Sequence, residues 1–269
     1  MARLPAVMVQ YPDAVASHVT AAILLGFRLP FRPQENQSIH LSVSSRTNPL
    51  RVQGFVGHQF QPGPGEVWNG GGVAVTSPAR TLLDLAAMKT ARGRHVFTDA
   101  ALVAIADGIV NEHATGFSRG QLAQRDKRSL LADLDGLSGR RGVLRARAAV
   151  ERAVPGVDSA LETRARLLLE EYGLTGWETD VELGAPGHRF VWPDLADRHH
   201  RIALQIEGAH HDHRGQRVRD IERQRATEAA GWIEIRVVAA DLEVGPHQPP
   251  GSVPRLILLV REARARAMS

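Results

Sequence analysis

The 269-residue sequence contains no cysteine. Disulfides, zinc ribbons and thiol nucleophiles are therefore excluded, and a bound metal would need carboxylate, imidazole or carbonyl ligands. The sequence also lacks a run of about 18 apolar residues, so it predicts no membrane span. The apolar stretch that ends at Val9 is too short for a signal peptide, and the expected location is therefore the cytoplasm.

Lysine is scarce, since Lys89 and Lys127 are the two lysines among 33 basic residues. The other basic residues are arginines, which suit bidentate contacts with phosphate. A net charge of +4 is compatible with nucleic-acid binding without requiring it. From Arg119 to Arg152 nine basic residues stand against four acidic ones. This run is either a solvated helix face or a phosphate-facing surface.

The length of the chain allows two domains, and Pro155-Gly156 is a plausible joint between them. Residues 1–155 are expected to form an α+β region. Its patterns predict a helix over residues 12–29, strands at 39–43 and 52–56, and a helix that begins after Ser77. Residues 156–269 predict a helix, a meander of three strands, a helix, a strand and a helix. The fold class is therefore α/β.

Two carboxylates of the second region are placed for metal chemistry. Asp194 falls within a predicted strand over residues 188–196, and Glu207 ends the next strand. Phosphodiester hydrolysis needs a cation to offset charge and activate water, and Mg²⁺ takes one or two carboxylates. If residues 197–200 form the hairpin loop, Asp194 lies opposite Ala203. Glu207 then lies on the same face, roughly 13 Å further along the strand, so a bulge or a shifted register must bring it closer.

This region resembles the Vsr-like (very-short-patch-repair) endonuclease domain of the PD-(D/E)XK superfamily over about 105 residues. The resemblance is carried by Glu162, residues 190–196, residues 203–208 with His210 and His211 behind them, residues 219–223, residues 230–237, and Asp241-Leu242. It implies a restriction-endonuclease-like three-layer α/β/α domain with a mixed central sheet, and DNA as the substrate. It also implies Asp194 as a ligand of Mg²⁺ or Mn²⁺, completed by Glu207 or the carbonyl of Ile206. Glu162 would act on the metal or on its water.

The sequence departs from the superfamily pattern on the third strand, where an acid, any residue and a lysine are expected. Here the triplet is Gln205-Ile206-Glu207, without the lysine. Vsr-type enzymes use histidine nearby, so His210, His211 or His213 is a candidate general base. The alternative is a catalytically inactive domain that binds DNA as a regulator.

Other residues carry two interpretations each. Glu162 also completes a capping box with Ser159. Arg214, Arg217, Arg219 and Arg223 are candidate DNA contacts, although Arg223 can equally form an ion pair with Asp220. The histidines at 199, 200, 210, 211 and 213 are either surface residues or a zinc site. Arg80 and Asp84 form an i,i+4 pair that needs no function.

The first region resembles AbiEi-type antitoxin proteins of actinobacteria. The similar phrases are residues 18–22, 39–43, 54–58 and 75–86. The winged helix-turn-helix that usually precedes them is missing. The resemblance implies a toxin–antitoxin or defence context, with a cognate toxin or another protein as a possible partner. Together, the two resemblances and the carboxylates of the second region predict a metal-dependent DNA endonuclease or nickase. An inactive DNA-binding regulator and an antitoxin-like component are the alternatives.

Overall fold

The computed structural model describes residues 4–30, 38–44, 52–70, 72–207, 214–246, 248–249 and 251–268. The side chains of Pro5, Gly70 and residues 214–219 are not part of that description. The chain divides into two compact units. Unit 1 comprises Met1–Val110 and Gln124–Ala153, and unit 2 comprises Asn111–Ala123 and Val154–Ser269. Both combine helices with a mixed sheet, so the predicted α/β class is confirmed.

Unit 1 contains a five-stranded sheet and six helices within the described ranges. In chain order they are α1 (Leu4–Gln10), β1 (Val15–Ala16), α2 (His18–Leu24), β2 (Ile39–Val43), β3 (Phe55–Gln59), β4 (Val67–Gly70), β5 (Val73–Thr76), α3 (Pro78–Ala87), α4 (Asp99–Val110), α5 (Lys127–Asp135) and α6 (Val143–Arg152). The strand order is β3-β2-β1-β5-β4. The β1–β5 and β2–β3 pairs are parallel, and the β1–β2 and β4–β5 pairs are antiparallel.

The helix expected over residues 12–29 is shorter in the structure. Residues 11–13 form a bend and a turn, Val15 and Ala16 pair with β2, and α2 occupies only His18–Leu24. Backbone pairing of β1 in the middle of the sheet outweighs the helical spacing of the apolar residues. The helix start at Ser77 agrees with the sequence, since the Ser77 hydroxyl accepts a hydrogen bond from the Arg80 N–H at 3.4 Å.

The described residues of unit 2 form a four-stranded sheet with helices on both faces. The elements are α7 (Ala160–Glu171), β6 (Trp177–Glu178), β7 (Leu195–Asp197), β8 (Ile202–Glu207), α8 (Arg214–Ala229), β9 (Ile233–Val238), a 3-10 turn (Ala239–Leu242) and α9 (Arg255–Ala267). The order is β6-β7-β8-β9, antiparallel except for the parallel β8–β9 pair.

Alternation along the strands of unit 2 divides its core into two layers. Leu195 and Leu204 pack with Leu169 of α7 and Ile257 of α9. The intervening residues Ala196 and Ala203 contact Ala226 of α8 on the other face. Successive strand residues point to opposite faces, so α7 and α9 cover one face and α8 the other. The result is the three-layer arrangement expected for residues 156–269.

The segment Asn111–Ala123 belongs to unit 2, although the sequence analysis assigned it to the first region. Asp180 attaches it: the Asp180 carboxylate accepts hydrogen bonds from the N–H groups of Ala114 (2.7 Å) and Thr115 (3.2 Å). The main-chain division near residues 153–154 is close to the joint expected at Pro155-Gly156. Among the described residues, no helix has the length and apolar character needed to cross a membrane.

Candidate active site

Asp194 lies in a bend one residue before β7, not within a strand as its sequence context suggested. Its Oδ2 accepts a hydrogen bond from the backbone N–H of Ile206 at 2.6 Å. Asp194 keeps some accessible surface while protein atoms surround most of it. The carboxylate is therefore fixed against β8 and faces a small cleft that it lines.

Glu162 is brought to the same cleft by the first turn of α7 and is 7% exposed. Its N–H donates to the Ser159 hydroxyl at 3.1 Å, and its Oε2 accepts from the Asp158 N–H at 2.7 Å. The expected capping contact of Ser159 is therefore present, and the return contact goes to the residue before the N-cap. Glu162 both stabilises the start of α7 and contributes a carboxylate to the cleft.

Burial and the neighbouring charges shift the pKa of Asp194. Removal from water raises its pKa to about 7, and the negative charges of Glu162 and, less strongly, Asp158 act in the same direction. The hydrogen bond from Ile206 and the positive charge of Arg223 oppose the shift without cancelling it. Negative charge is thus concentrated beyond what the neighbouring side chains neutralise.

The cleft measures about 180 Å³ and is formed by unit 2 alone. The segment Asn111–Ala123 forms one wall of the cleft. There the Phe117 ring meets the Trp192 ring edge-on, with centroids 5.3 Å apart. Gly116, at φ +72°, lies directly beneath Trp192, and a Cβ there would approach the indole to 3.3 Å. The left-handed backbone conformation favours glycine here, and a Cβ would also crowd the indole.

His113 is a cleft residue that the sequence analysis missed. Its Nδ1 lies 3.1 Å from Asp180 Oδ1 and its Nε2 lies 3.1 Å from Asp158 Oδ1. These partners are 67 and 45 residues away along the chain. No local pattern signals such a contact, because it depends on the segment Asn111–Ala123 packing onto unit 2.

The register of β7 and β8 differs from the predicted one. Asp197 pairs with Ile202 and Leu195 with Leu204, so the loop is residues 198–201 rather than 197–200. The Asp197 carboxylate accepts the His200 N–H at 3.1 Å and lies 2.7 Å from an Arg264 nitrogen, which keeps Asp197 in the strand. Extending the ladder by one residue puts Asp194 opposite Gln205. Glu207 is then offset by two residues, roughly 7 Å instead of 13 Å.

Glu207 remains a weaker member of the site. Its described contact is with Arg236, whose Nη1 lies 3.3 Å from Glu207 Oε1, and it is not among the charges that shift the pKa of Asp194. Gln205 is 4% exposed, and its side-chain amide donates to the Trp192 carbonyl at 3.4 Å. Gln205 therefore does not supply the carboxylate that the superfamily pattern has at this strand position.

Several predicted residues lie outside the described part of the chain. These are His210, His211 and His213, together with the side chains of Arg214, Arg217 and Arg219. Arg223 is described: its Nη2 lies 2.8 Å from Asp220 Oδ1, which is the ion pair considered as an alternative. His200 contacts Asp197 at 2.8 Å, and within the described ranges the group of three histidines with metal-binding spacing lies in unit 1.

The donor set of the cleft fits a hard divalent cation. Asp194 and Glu162 are carboxylates whose charges repel each other in a partly dry site, and oxygen ligands of this kind suit Mg²⁺ and Mn²⁺. Such an ion would offset the charge that Arg223 leaves unneutralised. Because Asp194 Oδ2 accepts the Ile206 N–H, Asp194 Oδ1 is the oxygen that would bind the cation.

No family model matches the chain, and no solved structure matches it. Two proteins of Mycobacterium tuberculosis, from strains CDC 1551 / Oshkosh and ATCC 25618 / H37Rv, are each 28% identical to it over 123 residues. The match covers 44% of this chain and 44% of each relative. Both relatives are described as uncharacterized proteins, and their descriptions give no activity.

Proposed function

We propose that unit 2 is a metal-dependent DNA endonuclease or nickase of the Vsr-like type within the PD-(D/E)XK superfamily. The observation that carries the proposal is the convergence of the Asp194 and Glu162 carboxylates on one cleft. The raised pKa of Asp194 supports it, because strongly shifted acids in clefts are more common at functional sites than elsewhere.

In this proposal Asp194 and Glu162 hold Mg²⁺ or Mn²⁺, with the Ile206 carbonyl or Glu207 as a further donor. The cation, when bound, supplies charge compensation at the scissile phosphate and an activated water. The Ile206 N–H orients Asp194. Contacts with Asp158 and Asp180 hold the ring of His113 at the wall of the cleft. His210 and His211 are the proposed general bases.

DNA is the proposed substrate, and the cytoplasm is the proposed location. Arg214, Arg217, Arg219 and Arg223 all belong to α8, and we assign them to phosphate contacts. Binding through several arginines would weaken steeply as salt concentration rises, because condensed counterions are released from DNA.

One observation favours an inactive DNA-binding regulator instead. The Gln205 amide is bound to the main chain of Trp192, and β8 carries no lysine. An antitoxin-like role through a cognate toxin follows only from the AbiEi resemblance of the first region.

The test uses the full chain with supercoiled plasmid and mismatched duplexes, in Mg²⁺, Mn²⁺ or EDTA. We expect metal-dependent nicking that is lost in Asp194→Asn and Glu162→Gln. Glu178→Gln is the matched control, because Glu178 is exposed on edge strand β6 and paired with Arg198. Retained nicking in Glu207→Gln would remove Glu207 from the site. Salt-sensitive binding without cleavage in any metal would reject the enzyme and leave the regulator.

A further inference from the structure

Unit 1 brings three histidines from three separate elements together. His18 is the first residue of α2, His40 lies on β2, and His58 lies on β3. One ring nitrogen from each lies within 4.8 Å of the corresponding atoms of the other two. We call this group the histidine cluster.

The sheet register explains why two of the rings meet. β2 and β3 are parallel with Ser42 opposite His58, so His40, two residues before Ser42, lies diagonal to His58 on the same face. The His40 Nδ1 and the His58 Nε2 are 2.8 Å apart. Two nitrogens at this distance need either one shared proton or a small opening to admit a cation between them.

The third ring is held in place by the start of α2. His18 stacks on His58 with centroids 3.6 Å apart, and its Nδ1 lies 2.9 Å from the Ser17 hydroxyl. Ser17 in turn accepts a hydrogen bond from the Ser42 hydroxyl at 2.8 Å. The backbone of His18 has φ +53°, a left-handed conformation that is uncommon for a residue other than glycine. The surrounding contacts therefore fix this ring against a backbone preference.

The three imidazoles are also in the protonation state that a metal requires. Burial lowers the pKa of His18 to about 2 and that of His58 to about 4, and it lowers the pKa of His40 as well. Burial is the largest cause of these shifts, and positive charge on neighbouring histidines, together with Arg80 in the case of His18, contributes to the values of His18 and His58. All three rings are therefore neutral near pH 7, with a lone pair on each.

An independent observation at the same place is a carboxylate with an unsatisfied oxygen. Asp84 Oδ2 is buried, has no hydrogen-bond partner among the described residues, and lies 3.9 Å from His18 Nδ1. Its other oxygen accepts from Arg80 Nε at 2.8 Å, so the expected i,i+4 pair is present. That pair leaves one oxygen beside the cluster, where carboxylates commonly orient a metal-bound histidine.

We propose that unit 1 binds a divalent transition-metal ion, with Zn²⁺ as the best fit, through His18, His40 and His58. Asp84 is the positioning carboxylate beside His18. Three imidazole nitrogens without cysteine suit Zn²⁺ and Co²⁺, whereas Mg²⁺ prefers oxygen ligands. Three protein ligands leave a fourth position of a tetrahedral ion open for water or a small anion.

The experiment strips the full chain with a chelator, reloads it with Zn²⁺ or Co²⁺, and removes unbound metal. Metal per chain is measured by mass spectrometry, and Co²⁺ geometry by its visible absorption. We expect one tightly held ion and the intense band of four-coordinate Co²⁺. Both should be lost in His18→Ala, His40→Ala and His58→Ala, and Asp84→Asn should weaken zinc affinity about 10–100-fold.

Controls separate this site from other histidines and acids. His95→Ala changes an exposed histidine of the same unit, His210→Ala with His211→Ala changes the histidines proposed for unit 2, and Asp194→Asn changes the cleft. All three should keep the zinc. His58→Gln, checked for folding by circular dichroism, covers the case in which alanine variants do not fold, and zinc should raise the melting temperature of the wild type but not of this variant.

Absence of zinc after loading, retention in all histidine-cluster variants, or loss in the His210/His211 variant would overturn the proposal. The cluster would then be a neutral stack of hydrogen-bonded imidazoles. No DNA is present in the assay, so its result is independent of whether unit 2 is a nuclease.

Discussion

The two candidate sites take their proposed metal ligands from titratable groups of opposite kinds. Unit 1 collects three imidazoles whose pKa values are lowered, and unit 2 collects carboxylates among which Asp194 has a raised pKa. The physical cause is the same, because removal from water disfavours the charged form of an acid and of a base alike. The donor atoms differ, however: nitrogen ligands favour Zn²⁺ and oxygen ligands favour Mg²⁺ or Mn²⁺. One chain therefore offers two chemically distinct candidate sites.

The largest expected effect is on catalysis by unit 2. Asp194→Asn should reduce metal-dependent nicking on the order of 10³-fold, because several kcal/mol of charge stabilisation by the metal would be lost. The control Asp133→Asn changes a half-buried acid of unit 1 that pairs with Arg125 and should leave the rate unchanged. Initial rates with Mg²⁺ measure both. An equal loss in the two variants would mean that unit 2 is not the site of catalysis.

The same substitution should stabilise the metal-free protein at high pH. The folded pKa of Asp194 is about 7 against an ordinary 3.8, so its contribution to stability is full below pH 3.8 and is lost as pH rises through 7. Asn keeps an oxygen for the Ile206 N–H without the charge. Denaturant unfolding in EDTA should show Asp194→Asn more stable at pH 8, by up to a few kcal/mol, and similar to wild type at pH 4.

Asp197, three residues further on, is the matched control with the opposite sign. Removal from water opposes its ionisation, but hydrogen bonds from His200 and the charge of Arg264 prevail and lower its pKa. Its contribution to stability is therefore present above the ordinary value and lost as pH falls. Asp197→Asn should destabilise the protein at pH 8. If both variants shift stability in the same direction, the contrast between these two acids is wrong.

Acid should affect unit 1 of the metal-free protein in the opposite sense from Asp194. The folded pKa of His18 is about 2 against an ordinary 6.5, so the unfolded state takes up a proton first as pH falls. Stability is full above pH 6.5 and declines below it, by up to about 1.4 kcal/mol per pH unit for one proton. Hydrogen exchange, corrected for its intrinsic pH dependence, should show β2 losing protection between pH 7 and 5 before β8 does. Equal loss in β2 and β8 would contradict this.

The smallest expected effects compare one helix cap from each unit. Ser159 accepts the Glu162 N–H at 3.1 Å, whereas Ser77 accepts the Arg80 N–H at 3.4 Å. Ser159→Ala should cost about 1 kcal/mol and Ser77→Ala less, because the longer hydrogen bond is weaker. Thermal unfolding measures both. A larger loss in Ser77→Ala would show that the cap of α3 depends on contacts other than this hydrogen bond.

Local patterns were sufficient for much of unit 2. The apolar run that ends at Glu207 predicted β8, and Ser159 predicted the start of α7, because strand burial and helix capping depend on neighbouring residues. The same patterns placed Asp194 in the right part of the chain but assigned it to a strand. The predicted loop between β7 and β8 was also shifted by one residue. The turn depends on a contact between His200 and the side chain of Asp197, the last residue of β7.

The sequence by itself determined the α/β class, the order of elements in unit 2, the absence of thiol chemistry, and Asp194 and Glu162 as the acids to examine. Only the tertiary structure decided that Asn111–Ala123 joins unit 2, that His113 enters the cleft, and that Glu207 contacts Arg236. It alone united His18, His40 and His58, which are separated by 22 and 18 residues. Contacts between distant segments depend on how strands pair and helices pack, and no periodicity in a single segment records them.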